Sequence, residues 1–226
     1  MRCINERIAG HGWVIYAHQQ TDGKGQRGNK WSAEPGKNLL SSVVLVPNVP
    51  IEHQFLFNAA ITTEIVKYLK QAAQIDNIAI KWTNDIIIND KKAGGILIEN
   101  VLQGAIWQYA VVGVGINVLQ TTFPDNLPHA TSLCLHSNAT FDIGNLAEEL
   151  GNALVRRLKE GIDETAIEGY NSLLYKKGEW QRFMAKDIPV EYSINEALPN
   201  GLLSVTDNNG NNLFLTHGSV QWVYGT

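Results

Sequence analysis

The sequence is poor in the features that mark secreted, metal-binding and membrane proteins. It has only two cysteines, Cys3 and Cys134, and so distant a pair in a chain without a signal peptide predicts free thiols. Its apolar runs, such as residues 86–88 and 111–114, are far shorter than the roughly 20 residues that cross a bilayer. Because the N-terminus, MRCINER, has no apolar signal region, we expect a cytoplasmic protein without a membrane partner.

Charge is also sparse. Asp, Glu, Lys and Arg make up 18% of the chain, and the formal net charge is -4. A weakly acidic balance of this kind argues against nucleic acid as a partner. Hydrophobic residues make up 44% of the 226 residues, which is enough for one large domain or one domain plus a small one.

Hydrophobic periodicity predicts alternating β and α segments. We expect strands over residues 13–18 and 38–46, a helix over 51–74, and β-rich runs over 78–82, 85–88, 93–102 and 105–118, with weaker helical character over 1–9. Turns are expected at residues 89–91 and 103–104, and a surface loop at 119–131. Helices are expected over 143–159 and 163–177, the second with Asp163 as its N-cap. From residue 178 onward, short strands with turns at 199–201 and 208–210 predict a small β-barrel-like domain.

The first segment with chemical character is the glycine loop, Gly23-Lys24-Gly25-Gln26-Arg27-Gly28. It satisfies the dinucleotide pattern G-x-G-x-x-G, but the following residues cannot open a packed helix, and no acidic residue stands about twenty positions on. It is not a phosphate-binding P-loop either, because Asn29 stands where lysine is needed. A solvated surface loop remains the alternative. The cations of Lys24 and Arg27 inside the glycine frame favour a site for anions.

The second segment is Lys81-Trp82-Thr83-Asn84-Asp85, followed by Lys92 and the pair Gly94-Gly95. A β-bend with an Asx turn is the alternative explanation, and Trp82 is typical of a core residue. Paired glycines inside an apolar strand indicate a ligand or a closely approaching strand. Asp85 could orient Lys81 or Lys92, or contribute to a magnesium site. Together the two segments predict a site for two anions, as needed by an enzyme that joins a carboxylic acid to ATP.

The third segment, Gly113-Val114-Gly115-Ile116-Asn117, leaves one face of a strand bare and supplies an amide able to pair with a base edge. With Gln20, Lys30-Trp31 and the two earlier segments, it resembles the biotin protein ligases, in order and spacing. The resemblance runs from about residue 13 to the C-terminus. It implies the α/β fold (α+β) shared with lipoate ligases: a mixed sheet flanked by helices over residues 1–177, and an SH3-like β-barrel over 178–226.

The resemblance also implies a reaction and a set of roles. Biotin's carboxylate would attack the α-phosphate of magnesium ATP, and a lysine of a biotin carboxyl carrier protein or domain would then take the biotin. Catalytic roles fall to Lys92 and Arg27. Biotin contacts fall to Gln20, Gly23, Lys24, Gly25, Trp31, Gly94 and Gly95. Contacts with ATP or the adenylate fall to Gln26, Arg27, Asn84, Asp85, Asn117, Thr131 and Ser132. The metal ligands are left unassigned.

The sequence departs from the family pattern at several points. The Ser-Thr-Asn segment that lines the biotin ureido pocket has no match, so the chain is expected to begin inside the helix that follows it. Thr83 stands where the family has proline, and Gln26 and Asn29 stand where arginines are common, so the loop carries less charge. No helix-turn-helix segment precedes this region, so we expect the monofunctional type, without a role as a DNA-binding repressor.

Two alternatives to a biotin ligase stay open. One is a lipoate or octanoate ligase of the same superfamily, and the other is a non-catalytic biotin-binding protein that has lost turnover with its N-terminal segment. A homodimer is also a possibility, through an exposed edge strand expected near residues 105–112.

Overall fold

The computed structural model describes residue 6 and residues 8–223, and its larger sheet is the frame of the molecule. The strands of this sheet are β1 (Val14–Tyr16), β2 (Asn38–Leu45), β3 (Ile78–Lys81), β4 (Asp85–Ile88), β5 (Lys91–Gln103) and β6 (Ile106–Asn117). Their order is β1-β2-β6-β5-β4-β3. The helix expected over residues 1–9 lies mostly outside the described residues, and Ile8 and Ala9 are in neither a helix nor a strand.

All the ladders between these strands are antiparallel. The expected mixture of parallel and antiparallel strands is therefore not found among the described residues, where parallel pairing is limited to isolated bridges. Strand β6 lies between β2 and β5, in the interior of the sheet. The prediction of an exposed edge strand near residues 105–112 is therefore wrong, and it no longer supports a homodimer.

Helices cover one face of the sheet. They are α1 (Gln54–Ala73), α2 (Ile143–Lys159) and α3 (Thr165–Ser172). Apolar residues recur along helix α1, so it is buried on two sides. The helix ends at Gln74, which takes a left-handed conformation (φ 54°) and whose N–H donates to the Lys70 carbonyl. Helix α3 is shorter than expected because the chain leaves it to pair with β3: the Ile80 N–H donates to Leu173 O and the Tyr175 N–H to Ile80 O, both at 2.8 Å.

The C-terminal β domain forms a second antiparallel sheet. Its strands are β7 (Trp180–Ala185), β8 (Ile188–Ala197), β9 (Leu203–Thr206), β10 (Asn212–Leu215) and β11 (Gln221–Trp222), in the order β10-β9-β8-β7-β11. The turns expected at residues 199–201 and 208–210 are confirmed, as are those at 89–91 and 103–104. The predicted fold class, a helix-flanked sheet with a small second β domain, is thereby confirmed.

The two sheets share one hydrophobic core. Phe183, Ile194 and Trp222 of the second sheet belong to the same buried cluster as the helices and the first sheet. Asn171 of α3 holds the junction with two hydrogen bonds, accepting from the Ala197 N–H at 2.8 Å and donating to the Ala197 carbonyl at 2.9 Å. The C-terminal domain is therefore fixed against the sheet, where it forms one wall of a cavity. None of the described helices is long and apolar enough to span a bilayer.

Candidate functional site

The glycine loop is folded back on itself by its own backbone. The Trp31 N–H donates to Gly23 O at 2.8 Å, and the Gly25 N–H donates to Asn29 O at 2.7 Å. A side chain at Gly23 would overlap the Trp31 carbonyl and come within 2.9 Å of Gln20 Oε1, so only glycine fits there. Because the Gly25 N–H is used inside the loop, the ligand-binding character of the loop rests on its side chains rather than on that amide.

The second segment builds an ion pair on the open face of the sheet. Lys92 Nζ lies 2.6 Å from Asp85 Oδ1, and Asp85 pairs with Gly95 in the β4–β5 ladder. A β-bulge near Ala93 shifts the register between Gly94 and Lys92, and so sets where Lys92 emerges. A Cβ at Gly95 would be 3.6 Å from Asp85 Oδ1 and 3.8 Å from Lys92 Nζ. The bare glycine therefore leaves the pair accessible to a ligand.

Trp31 forms the apolar part of the site. A Cβ at Gly115 would lie 2.8 Å from Cε2, 3.0 Å from Nε1 and 3.1 Å from Cζ2 of Trp31. The indole therefore lies on the bare face of β6 that the glycine spacing predicts. Its buried Nε1 has no hydrogen-bond partner among the described residues, so a ligand acceptor there would satisfy it.

The C-terminal domain closes the site from the other side. Lys81 is buried, its Nζ donates to Trp222 O at 3.3 Å, and it lies 5.5 Å from the centre of the Trp222 ring. Burial lowers the pKa of Lys81 to about 8; the Asp85 carboxylate opposes this shift and Lys92 adds to it. The His217 ring meets Trp82 edge-on at 5.7 Å. Desolvation, and then the charge of Arg27, lowers the pKa of His217, while Asp85 raises it.

These parts surround one cavity of about 1020 Å³. It is lined by most of the residues to which site roles were assigned from the sequence, namely Gln20, Lys24, Gly25, Gln26, Arg27, Trp31, Asn84, Asp85, Lys92 and Gly95. Among the described residues, six basic side chains and four acidic ones line it, in a chain whose net charge is -4. The cavity is therefore positive where the protein as a whole is negative, as a site for anions requires.

Five of the predicted site residues lie outside the cavity lining. Gly23 shapes the loop, and Gly94 faces the core, where a side chain would overlap Ile116. Asn117, Thr131 and Ser132 are buried: Asn117 Nδ2 donates to Thr131 O at 2.9 Å, and the Ser132 hydroxyl lies 3.4 Å from Cys134 Sγ. Thr131 also anchors the catalytic candidate, since its N–H donates to Lys92 O at 2.9 Å.

Sequence reasoning missed several residues of the cavity wall, among them Lys81, His217, Gly218 and Trp222. Lys81 was named only as a possible partner of Asp85, and nothing in the local pattern showed that it is buried. His217, Gly218 and Trp222 come from turns and a two-residue strand of the C-terminal domain. Their sequence signals, a histidine, a glycine and a tryptophan in a β-rich tail, do not distinguish a site wall from an ordinary turn.

Comparison with known proteins places the sequence in a family. The model of the Biotin/lipoate A/B protein ligase family matches residues 2–117, which contain the glycine loop, the ion pair and the bare strand. The chain belongs to this family.

Relatives of this family member cover it unevenly. The bifunctional ligase/repressor BirA of Bacillus subtilis is 30% identical over 67% of this chain and 47% of its own length. The biotin--[acetyl-CoA-carboxylase] ligase of Mycobacterium tuberculosis is 27% identical over 84% of this chain and 66% of its own length. The chain thus spans about half the length of the ligase/repressor relatives that it matches.

Solved structures agree with the fold over nearly the whole chain. The biotin protein ligase from Aquifex aeolicus in complex with biotin and ATP superposes with a TM-score of 0.79 at 21% identity, covering 97% of this chain and 94% of that one. The biotin protein ligase from Leishmania major in complex with biotinyl-5-AMP gives 0.66 at 23% identity, covering 95% and 92%. At these identities the likeness concerns the fold, including the second β domain.

Proposed function

We propose that this protein activates biotin with ATP, forming biotinyl-5′-AMP, and transfers the biotin to a lysine of a biotin carboxyl carrier protein or domain. The observation that carries the proposal is the Lys92–Asp85 pair, 2.6 Å apart, on the floor of a positive cavity between the glycine loop and the C-terminal domain. A cavity of about 1020 Å³ exceeds what one small molecule fills, which supports two ligands held side by side.

The residues can perform the first step as follows. A biotin carboxylate oxygen attacks the α-phosphorus of ATP, a P–O bond forms, and the bond to pyrophosphate breaks. Two anions repel until cations lie between them, and Lys92 is placed to neutralise both the carboxylate and the α-phosphate. Lys24 and Arg27 would bind the negative charge of the reactants on the side of the cavity that the glycine loop forms. Holding both reactants in one pocket supplies the entropic part of the rate enhancement.

The second step consumes the mixed anhydride. The neutral amine of the carrier lysine attacks the acyl carbon, an amide bond forms, AMP leaves, and the amine loses a proton. The intermediate must be kept from water until the carrier arrives. The apolar face of Trp31 over Gly115, and the C-terminal wall opposite, would exclude water from it.

The proposal includes magnesium because enzymes usually bind ATP together with this ion. Among the described residues there is no group of three or more His, Cys, Asp or Glu side chains that could hold an ion alone. Mg²⁺ in nucleotide sites takes one or two carboxylates together with phosphate oxygens, and Asp85 is a carboxylate of the cavity wall. The ion would supply charge neutralisation at the phosphates.

The proposal is tested by pyrophosphate release from magnesium ATP, with biotin, lipoate, octanoate or no acid added. Release only with biotin, and a biotinyl-AMP mass retained on the protein, is the expected result. Release with lipoate or octanoate instead would replace biotin in the proposal, and no release with any acid would overturn it.

A further inference from the structure

The guanidinium of Arg27 occupies the space where a side chain at Gly218 would begin. A Cβ added to Gly218 would overlap Nη1 and Cζ of Arg27 and would lie 2.6 Å from Nη2. Gly218 belongs to the turn between β10 and β11, in which the Ser219 N–H donates to Thr216 O at 3.0 Å. A cation of the glycine loop thus rests on a turn of the C-terminal domain.

The backbone of Arg27, its effect on His217 and the lining of the cavity place this contact at the site. The loop presents Arg27 from a left-handed backbone conformation (φ 56°), uncommon for a residue other than glycine, in the short turn Gln26–Gly28. The charge of Arg27 also lowers the pKa of the adjacent His217, as the second cause after desolvation. Arg27, His217 and Gly218 all line the cavity that contains Lys92.

We propose that Gly218 is a positioning residue for Arg27: by lacking a side chain, it lets the C-terminal domain set where the loop cation stands over the cavity. The inference rests on the proposed function for what Arg27 binds, which is the phosphate charge of the nucleotide. The position of Arg27 itself does not depend on that function. A side chain at Gly218 would displace the guanidinium of Arg27 and leave the glycine loop folded.

A simpler reason for glycine at this position is its backbone. Gly218 has φ +83°, where any other residue is strained. Gly210, in the preceding turn of the same domain, between β9 and β10, has φ +82° but nothing within 4 Å of an added Cβ. Gly218→Ala and Gly210→Ala therefore share the backbone cost and differ in the contact with Arg27. Because Arg27 is the flexible end of that contact, we expect it to move aside without unfolding the chain.

The first test needs no ligand. Trypsin cleaves after Arg27, and Lys24 and Lys30 provide reference sites on the same loop. We expect Gly218→Ala to speed cleavage of the Arg27–Gly28 bond by about fivefold relative to the parent and to Gly210→Ala, without a matching change at Lys24 and Lys30. Equal rates in Gly218→Ala and the parent, or an equal increase in Gly210→Ala, would overturn the inference.

The second test is a double-mutant cycle on pyrophosphate release. If Gly218 acts through Arg27, Gly218→Ala and Arg27→Gln each raise the KM for ATP by about tenfold, with a smaller effect on kcat, and the double variant is no worse than Arg27→Gln alone. Effects that multiply would contradict the positioning role. If the parent chain shows no acid-dependent release, the proposed function fails, and the cleavage rates alone decide on Gly218.

Discussion

The indole of Trp31 fills the space above Gly115 that any side chain there would need. This relationship joins the glycine loop to the sheet, because the ring contacts the backbone of β6 directly. The bare face of β6 therefore receives an aromatic side chain, and Gly113 and Gly115 of that face also line the cavity.

We predict that Gly115→Ala displaces Trp31. The overpacking costs about 1–3 kcal/mol in the free energy of unfolding, and biotin affinity falls by about tenfold if Trp31 forms the apolar wall of the biotin site. Calorimetric titration with biotin and urea unfolding measure the two effects. Gly10→Ala is the control, since nothing lies within 4 Å of a Cβ there. Trp31→Leu in the Gly115→Ala background relieves the clash, so its failure to restore stability would argue against this packing.

Lys92→Ala is expected to slow adenylate formation by more than about tenfold, because a charge contact with the reacting anions is lost. The neighbouring Lys91 is exposed and absent from the cavity lining, so Lys91→Ala is the matched control. Single-turnover formation of biotinyl-AMP is the measurement. Near-normal turnover in Lys92→Ala would remove Lys92 from the mechanism.

Lys81 makes stability depend on pH in a predictable direction. Its pKa is about 8 in the folded chain against 10.5 for the free side chain, so protonation opposes folding. The cost is complete below pH 8 and is relieved as the pH rises from about 8 to 10.5. In urea unfolding, the free energy of the parent relative to Lys81→Met should therefore improve over that window, by on the order of 3 kcal/mol at most. Lys67→Met, at an exposed position, is the control, and a flat difference for Lys81→Met would refute its burial as a charged group.

Arg27→Gln should raise the pKa of His217, because the charge that lowers it is removed. NMR titration of the His217 ring in the ligand-free protein measures this directly. Lys30→Gln removes a charge from the same loop without being a cause of the His217 shift, so it serves as the control. An unchanged His217 pKa in Arg27→Gln would mean that the guanidinium does not stand beside the turn.

Asn171→Ala should loosen the junction between the two sheets. It leaves the N–H and carbonyl of Ala197 without their side-chain partners in a buried position, which costs about 2–4 kcal/mol. Calorimetric unfolding is the measurement. Asn77→Ala is the control, because it breaks an exposed hydrogen bond to Asn89, which should cost little. A loss of stability no larger than that of Asn77→Ala would show that Asn171 does not hold the junction together.

Local pattern was sufficient for much of the secondary structure. Helix α2 and strand β4 have the bounds expected from the sequence, Ile143–Lys159 and Asp85–Ile88. Apolar spacing along one helix face, or a short apolar run between turn residues, is a property of neighbouring residues. Helix α3 was overestimated because its end is decided by pairing with β3, a contact between segments remote in sequence.

The sequence by itself determined the family, the helix-flanked sheet with its second β domain, and the cations that an anion site requires, Lys24, Arg27 and Lys92, with the carboxylate of Asp85. The tertiary structure decided which of them meet: the Lys92–Asp85 pair, the indole over Gly115, the burial of Lys81, and the approach of Arg27 to Gly218. It also decided that β6 lies inside the sheet and that Asn117, Thr131 and Ser132 lie outside the cavity lining. The reason is physical: motifs reflect local chemistry, whereas burial and distance depend on how remote segments pack.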